Sequence, residues 1–546
     1  MQLGSISTAT TMAKGQYTFA AYIVLLGLSL RTSWAFAPFR TIHAPPTFHV
    51  STCTLGTSSC HHTTRFNHEP SSRIRFSRIT RRPGGILSAK TTSSEGLTRQ
   101  LPQLISAAAL FLLDIFFRRL FRLLNLTFPS SLAGCGVLFA FLLSVKQEKA
   151  NTLFNQLQPG AALLAKWLPV FFVPTLITLP LSAGLGSFVE LVKVGLVVVG
   201  GFLFTLLTTA LSVVVVRKVV PNKHSLASDL SKPVESISFL PDEKQTIESS
   251  VPISGSQIAV TKGPFTNEMF YSLTTLSAVS GLAAIGAYFT LSLSQYAQPL
   301  TSLCLLLTTL SSYVYGTRLP KKFTKFVHPL LTCASLTWTV LGAFSLIFSR
   351  SFKSMLRSYR KGNVASFSAG DLLLFCLGPA VVSLAISMYE RRKLMRDNLP
   401  EVGAAIATST IGGVFGTAAL VRVLEIGDPT LRLALLSRNI TSPLAMAIAG
   451  ILGADASLAV SMVVVTGLIG ANFGASILSS LGIKDAVARG LGIGAAAHGL
   501  GTAAFVDEKD AFPFAAIAMA LTASAATVTV SIPVFRRIIL ELALGY

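Results

Sequence analysis

Residues 490–505 read GLGIGAAAHGLGTAAF, and this stretch decides what kind of chain carries it. Ten of its first fifteen residues are glycine or alanine, and His498 is the one titratable side chain among them. The flanks are strongly apolar, so the stretch belongs to a membrane span stripped of bulky side chains. Small residues let another backbone, or a solute, come close. Gly499-Leu500-Gly501-Thr502 beside His498 would also let the helix unwind. Exposed N–H groups, the Thr502 hydroxyl and the imidazole would then converge on a small polar solute. A ring titrating near neutral pH would further allow proton coupling. The competing reading is a histidine packed between helices and bonded to a backbone carbonyl. Gly492-Ile493-Gly494 with Ala497 fits a GxGxxA pattern, but no strand precedes it and a span contains it, so it marks no dinucleotide site.

The rest of the chain agrees with a membrane setting. Of 546 residues, 51% are hydrophobic and 12% charged, against roughly 25% charged in soluble proteins. Apolar runs of about 18 residues or more recur from residue 102 to the C-terminus, each long enough to span a bilayer as a helix. The alternation of a membrane barrel is absent. The prediction is an all-α polytopic membrane protein with about twelve transmembrane helices. Broken helices are expected in the C-terminal module, where an inverted repeat is an open alternative.

The net charge of +22 does not point to nucleic acid. Residues 1–100 hold eleven Lys/Arg against Glu69 and Glu95, and the remaining excess is scattered between spans, as topology-setting loop charges are. No basic stripe with interleaved aromatics occurs, so membrane lipid is the expected macroscopic partner. Cys53, Cys60, Cys135, Cys304, Cys333 and Cys376 form no CxxC pair, and no disulfide, metal or cofactor framework is legible.

The N-terminus carries two sorting signals in series. Residues 18–30, TFAAYIVLLGLSL, follow Lys14 and have signal-peptide length, with a cleavage point between Ala35 and Phe36. Residues 36–100 are rich in Ser, Thr, Arg and Pro and poor in acid, as transit peptides are. Ala35 to Pro38 resembles the cleavage motif of algal proteins sent to plastids bounded by four membranes. The alternative is a secretory or plasma-membrane protein with a polar tail. Five of the eight histidines, His61-His62 included, fall in this segment and read as loop composition.

Two modules follow, 101–217 and 265–546, joined by a Ser-rich, Pro-interrupted linker at 218–264. The first is Leu/Phe/Val-rich, with about four spans near 103–124, 131–145, 161–183 and 188–216. The second holds about eight or nine and turns rich in small residues after 399, which makes its interior the better place for a solute. Two further stretches interrupt their spans there. In LLLFCLGPAVVSLAISMYERRKLM (372–395), Gly378-Pro379 should break the helix. In LLSRNITSPLAMAIAGILG (435–453), Arg438, Asn439, Thr441 and Ser442 precede Pro443. A helix start of this kind suits an anion, with Arg438 as a carboxylate clamp. The plainer reading is a capped helix end with a snorkelling arginine. No HExxH, GxSxG, Walker loop or paired intramembrane carboxylates occur, so an enzyme is not expected.

These stretches resemble a family. LGPAVVSLAISMY (377–389), SRNITSPLAMAI (437–448) and the long run from Val463 to Phe505 are similar to the signature segments of LrgB/CidB membrane proteins. FPSSLAGCGVLFAFLL (128–143) and LAKWLPVFFVPT (164–175) are similar to LrgA/CidA. The resemblance covers roughly 102–217 and 320–546. Arg438 stands where the bacterial pattern has lysine, and Ala497 where it has serine. A fused pair behind a transit peptide resembles the plastid members. This implies a secondary carrier that exchanges glycolate outward for glycerate inward across the plastid inner envelope in photorespiration. Pyruvate or another small monocarboxylate, or a holin-like regulatory role, are the alternatives. The expected substrate-binding residues are Arg438, Asn439, Thr441, Ser442, His498, Gly499, Gly501, Thr502, Gly378 and Pro379. The 378–385 and 494–502 breaks are expected to be symmetry partners. A homo-oligomer is compatible with all of this.

Overall fold

A computed structural model describes residues 92–126, 128–182, 187–219, 265–324, 327–362 and 368–545. The expected signal peptide, the transit segment as far as residue 91 and the linker from residue 220 lie outside the described residues. Backbone groups have no water to bond in hydrocarbon, so each span must satisfy them within itself. The described residues accordingly form helices, with no strand among them.

In chain order the longer helices are α1 (Thr92–Leu123), α2 (Ser130–Ser144), α3 (Gln147–Phe171) and α4 (Phe188–Val219). After residue 265 come α5 (Asn267–Phe289), α6 (Ser294–Thr317), α7 (Pro329–Ile347) and α8 (Ala369–Glu390). Then α9 (Leu399–Thr410) runs through a π-helical turn, Ile411–Phe415, into α10 (Gly416–Val423). The chain ends with α11 (Pro429–Leu435), α12 (Ser442–Leu452), α13 (Ala456–Ser480), α14 (Ala486–Ala504), α15 (Phe512–Ser531) and α16 (Pro533–Leu544). Capping residues set several starts: Asp428, Asp455 and Asp485 each accept N–H bonds from the first turn that follows, as expected of aspartate there.

Eight of the described helical stretches are long and apolar enough to cross a membrane by length and composition. The others explain the larger number expected from hydropathy runs. α2 and α12 are apolar but 15 and 11 residues long, short of a ~30 Å core at ~1.5 Å per residue. α14 is interrupted at His498.

Helix α14 answers the question its composition raises. A methyl at Gly494 would overlap the Ala515 carbonyl of α15, one at Gly490 the Ala511 carbonyl, and one at Gly492 would press on Ala210 of α4. Across from it, Gly470 and Gly474 of α13 receive Ala497 and Ile493. Bulk is missing mainly because three helices pack against α14 at backbone distance. Replacing Gly494 with alanine is expected to destabilise the fold by about 1–3 kcal/mol through overpacking. Gly286→Ala, in a helix where no atom lies within 4 Å of the added methyl, should keep the melting temperature in detergent or raise it slightly.

The expected break at Gly378-Pro379 does not occur. α8 runs through both residues without leaving helical geometry, and 83% of its span is buried. Buried in protein, it is not lipid-facing either. Gly378 instead makes room for α1: a Cβ there would overlap the Asp114 carboxylate and the Arg118 guanidinium. Asp114, wholly buried, accepts from Arg118 Nε at 2.6 Å and from Ser131 Oγ at 2.7 Å. The helices on either side of residues 220–264 are thus interleaved. α8 packs on α1, α2 and α3, while α4 packs on α9, α13 and α14.

Candidate functional site

Two short helices, α11 and α12, are joined by a non-helical turn at residues 436–441. Pro443 in the first turn of α12 cannot donate to the preceding residues, so α11 stops and α12 starts afresh behind Thr441;. Leu436 to Ile440 are all buried. Irregular backbone within a membrane protein is tolerated where it is buried in protein or lines a cavity.

Arg438 projects from that turn and is wholly buried. Its Nη2 donates to Thr205 Oγ1 of α4 at 3.2 Å, while Nε and Nη1 pair with no group among the described residues. No carboxylate forms an ion pair with it among the described residues. A guanidinium in such surroundings is expensive unless something neutralises it. Beside it, Asn439 Nδ2 donates to the Ala495 carbonyl of α14 at 3.2 Å, and Asn439 Oδ1 has no partner among the described residues. Gly413, in the π-helical turn, lets the Asn439 amide sit against its backbone. Such turns widen a helix and recur at functional positions.

Thr441 is the N-cap of α12 and makes no side-chain capping bond, and Ser442 is buried behind it. His498 carries the whole interruption of α14, at φ 44 and ψ −140. Its Nε2 lies 2.8 Å from the Val463 carbonyl of α13, and its ring rests against Gly467. Gly499-Leu500-Gly501-Thr502 does not unwind; those residues stay helical. Thr502 Oγ1 donates back to the His498 carbonyl at 2.8 Å. Gly501 packs on Ala497 and Ile493 across the kink, and Gly499 faces Met519. The structure thus brings Arg438 and Asn439 together with α4, α14 and the π-helical turn, whereas Gly378 belongs to the contact with α1 and Pro379 is buried within α8.

Three residues of this constellation escape a reading of the sequence: Thr205, Gly201 and Gly413. Gly412-Gly413 within an apolar span is a legible irregularity. Gly200-Gly201 inside the Leu/Val-rich α4 is another, masked by the lipid-facing texture of its neighbours.

The LrgB-like family matches residues 309–536. Plastidal glycolate/glycerate translocator 1, chloroplastic, of Arabidopsis thaliana is 32% identical over 443 residues, 80% of this chain and 80% of that protein. Holin-like protein CidB of Staphylococcus epidermidis is 26% identical over 204 residues, 37% of this chain and 82% of that protein. YxaC of Bacillus subtilis is 28% identical over 208 residues, 38% of this chain and 83% of that protein. No solved structure matches significantly. With most of both chains aligned and the helices of residues 92–219 packed into the LrgB-like part, the protein belongs to the LrgB-like membrane protein family, together with the plastidal glycolate/glycerate translocator.

Proposed function

We propose that this protein is a secondary carrier that exchanges small 2-hydroxy carboxylates, glycolate outward and glycerate inward, across the inner envelope of a plastid during photorespiration. The observation that carries the reading is Arg438: a fully buried cation that, among the described residues, has two nitrogens unpartnered and no carboxylate paired to it. A small carboxylate would supply both the charge and the acceptors, as arginine forks do elsewhere. Thr441 and Ser442, at the start of α12 on the far side of the turn, would bond the 2-hydroxyl. Substrate identity and compartment rest on the similarity to the chloroplastic translocator and on the double presequence.

Both acids ionise near pH 4 as carboxylates do, so a one-for-one exchange at neutral pH moves no net charge. No proton is then needed, and His498, held by Val463, is released from a coupling role.

The test is counter-exchange in proteoliposomes. Vesicles loaded with glycerate should take up labelled glycolate saturably, only while internal glycerate is present, and at a rate insensitive to an imposed membrane potential. A folded protein that exchanges no small 2-hydroxy or 2-oxo acid would overturn the reading. Leakage of a trapped dye instead would favour a holin-like pore.

A further inference from the structure

Helix α4 lies N-terminal to the linker, in the half of the chain that resembles LrgA, yet it is fastened to the other half along its length. Near its start, Lys193 Nζ donates to the Glu425 carbonyl at 2.7 Å, and Glu190 accepts from the Gly427 N–H at 3.2 Å. Near its end, Arg217 pairs with Asp485 at 2.8 Å. Partly exposed pairs like these fix orientation more than they add stability. Between them, Phe202 lies beside Ala497 over Gly470 of α13, and Ala210 lies over Gly492 of α14.

At the middle of this face lie Gly201 and Thr205. The Thr205 hydroxyl donates to the Gly201 carbonyl at 2.9 Å, which leaves its lone pairs for Arg438 Nη2. Any side chain at Gly201 would overlap the guanidinium. One corner of the guanidinium is therefore held by α4, and donors remain on the other two nitrogens.

We infer that α4 is a wall of the anion site: Thr205 is the positioning residue that aims the Arg438 guanidinium, and Gly201 provides the space the guanidinium occupies. This rests on the reading of Arg438 as the carboxylate-binding group. It gives the LrgA-like half a defined part in recognising small monocarboxylates, and it explains why one chain would carry both halves.

Thr205→Val removes the hydroxyl and nearly keeps the shape. A hydrogen bond to a charged group is at stake, so KM for glycolate in the full-length protein should rise about tenfold. The maximal rate should stay close to wild type, and Thr205→Ser should restore KM. A threonine that only packs would change the yield of folded protein without moving KM alone. A folded Thr205→Val protein with wild-type KM would overturn the inference and leave the carrier reading standing. A wild type that exchanges no carboxylate would instead remove the reading on which the inference rests. Should Thr205→Val fail to fold, melting of Gly201→Ala decides: the methyl should lower the melting temperature markedly when added to the wild type and much less when added to Arg438→Ala, which removes the overlapping Nε and Cζ atoms. Equal shifts in the two backgrounds would count against the contact.

Discussion

Replacing Arg438 with methionine will abolish carboxylate exchange and leave the protein as stable as the wild type or more so. The two halves of that expectation come from one observation. A guanidinium with no solvent exposure and, among the described residues, one hydrogen bond and no ion pair is a charge the fold holds at a loss. Exchanging buried ionic groups for apolar side chains of similar volume is often neutral or stabilises by about 1–4 kcal/mol. A residue whose removal strengthens the fold and silences transport is held in place by its ligand's requirements. Arg438→Lys should fall between, keeping the charge but losing the planar fork, with exchange retained and KM raised. Thermal melting in detergent beside exchange rates in proteoliposomes checks all three proteins. A methionine variant that unfolds would mean that Arg438 bonds the structure together. A folded one with undiminished exchange would remove Arg438 from the site.

How much of this was legible in the sequence varies with the kind of signal. Hydropathy runs locate the helices of residues 92–219 well: the expected spans near 131–145 and 188–216 fall on Ser130–Ser144 and Phe188–Val219. The third begins earlier than expected, at Gln147, because its first turns are too polar to register as a span. The turn at 436–441 is legible through Pro443 and the polar run before it, since both act locally. Gly378-Pro379 misleads for a physical reason. Proline weakens a helix, but whether the helix then breaks depends on what surrounds it. Here burial on all sides keeps α8 wound, and the glycine serves the approach of Asp114 and Arg118. Thr205 could not be found by local reasoning, since its importance lies in a contact 233 positions away along the chain.

His498→Gly should be more stable than His498→Ala, the reverse of the order expected within a helix. In an ordinary helix interior, glycine is destabilising by roughly 0.5–1 kcal/mol relative to alanine. At residue 498 the backbone sits at φ 44 and ψ −140, outside the regions open to side chains with a Cβ. Strained residues of this kind cost of order 1–3 kcal/mol and persist where their surroundings over-determine them. In the wild type, the 2.8 Å contact between Nε2 and the Val463 carbonyl and the bond from Thr502 to the His498 carbonyl hold the kink. Alanine would lose the ring's anchor and keep the strain, whereas glycine would lose the anchor and relieve the strain. The glycine variant should therefore melt above the alanine variant and retain more glycolate–glycerate exchange, with the kink doing for transport what the imidazole does not. If alanine proves the more stable of the two, the segment is a continuous helix and the kink is absent. If both variants fold and neither exchanges, the imidazole itself takes part, and its bond to α13 is one state of a ring that also meets the substrate.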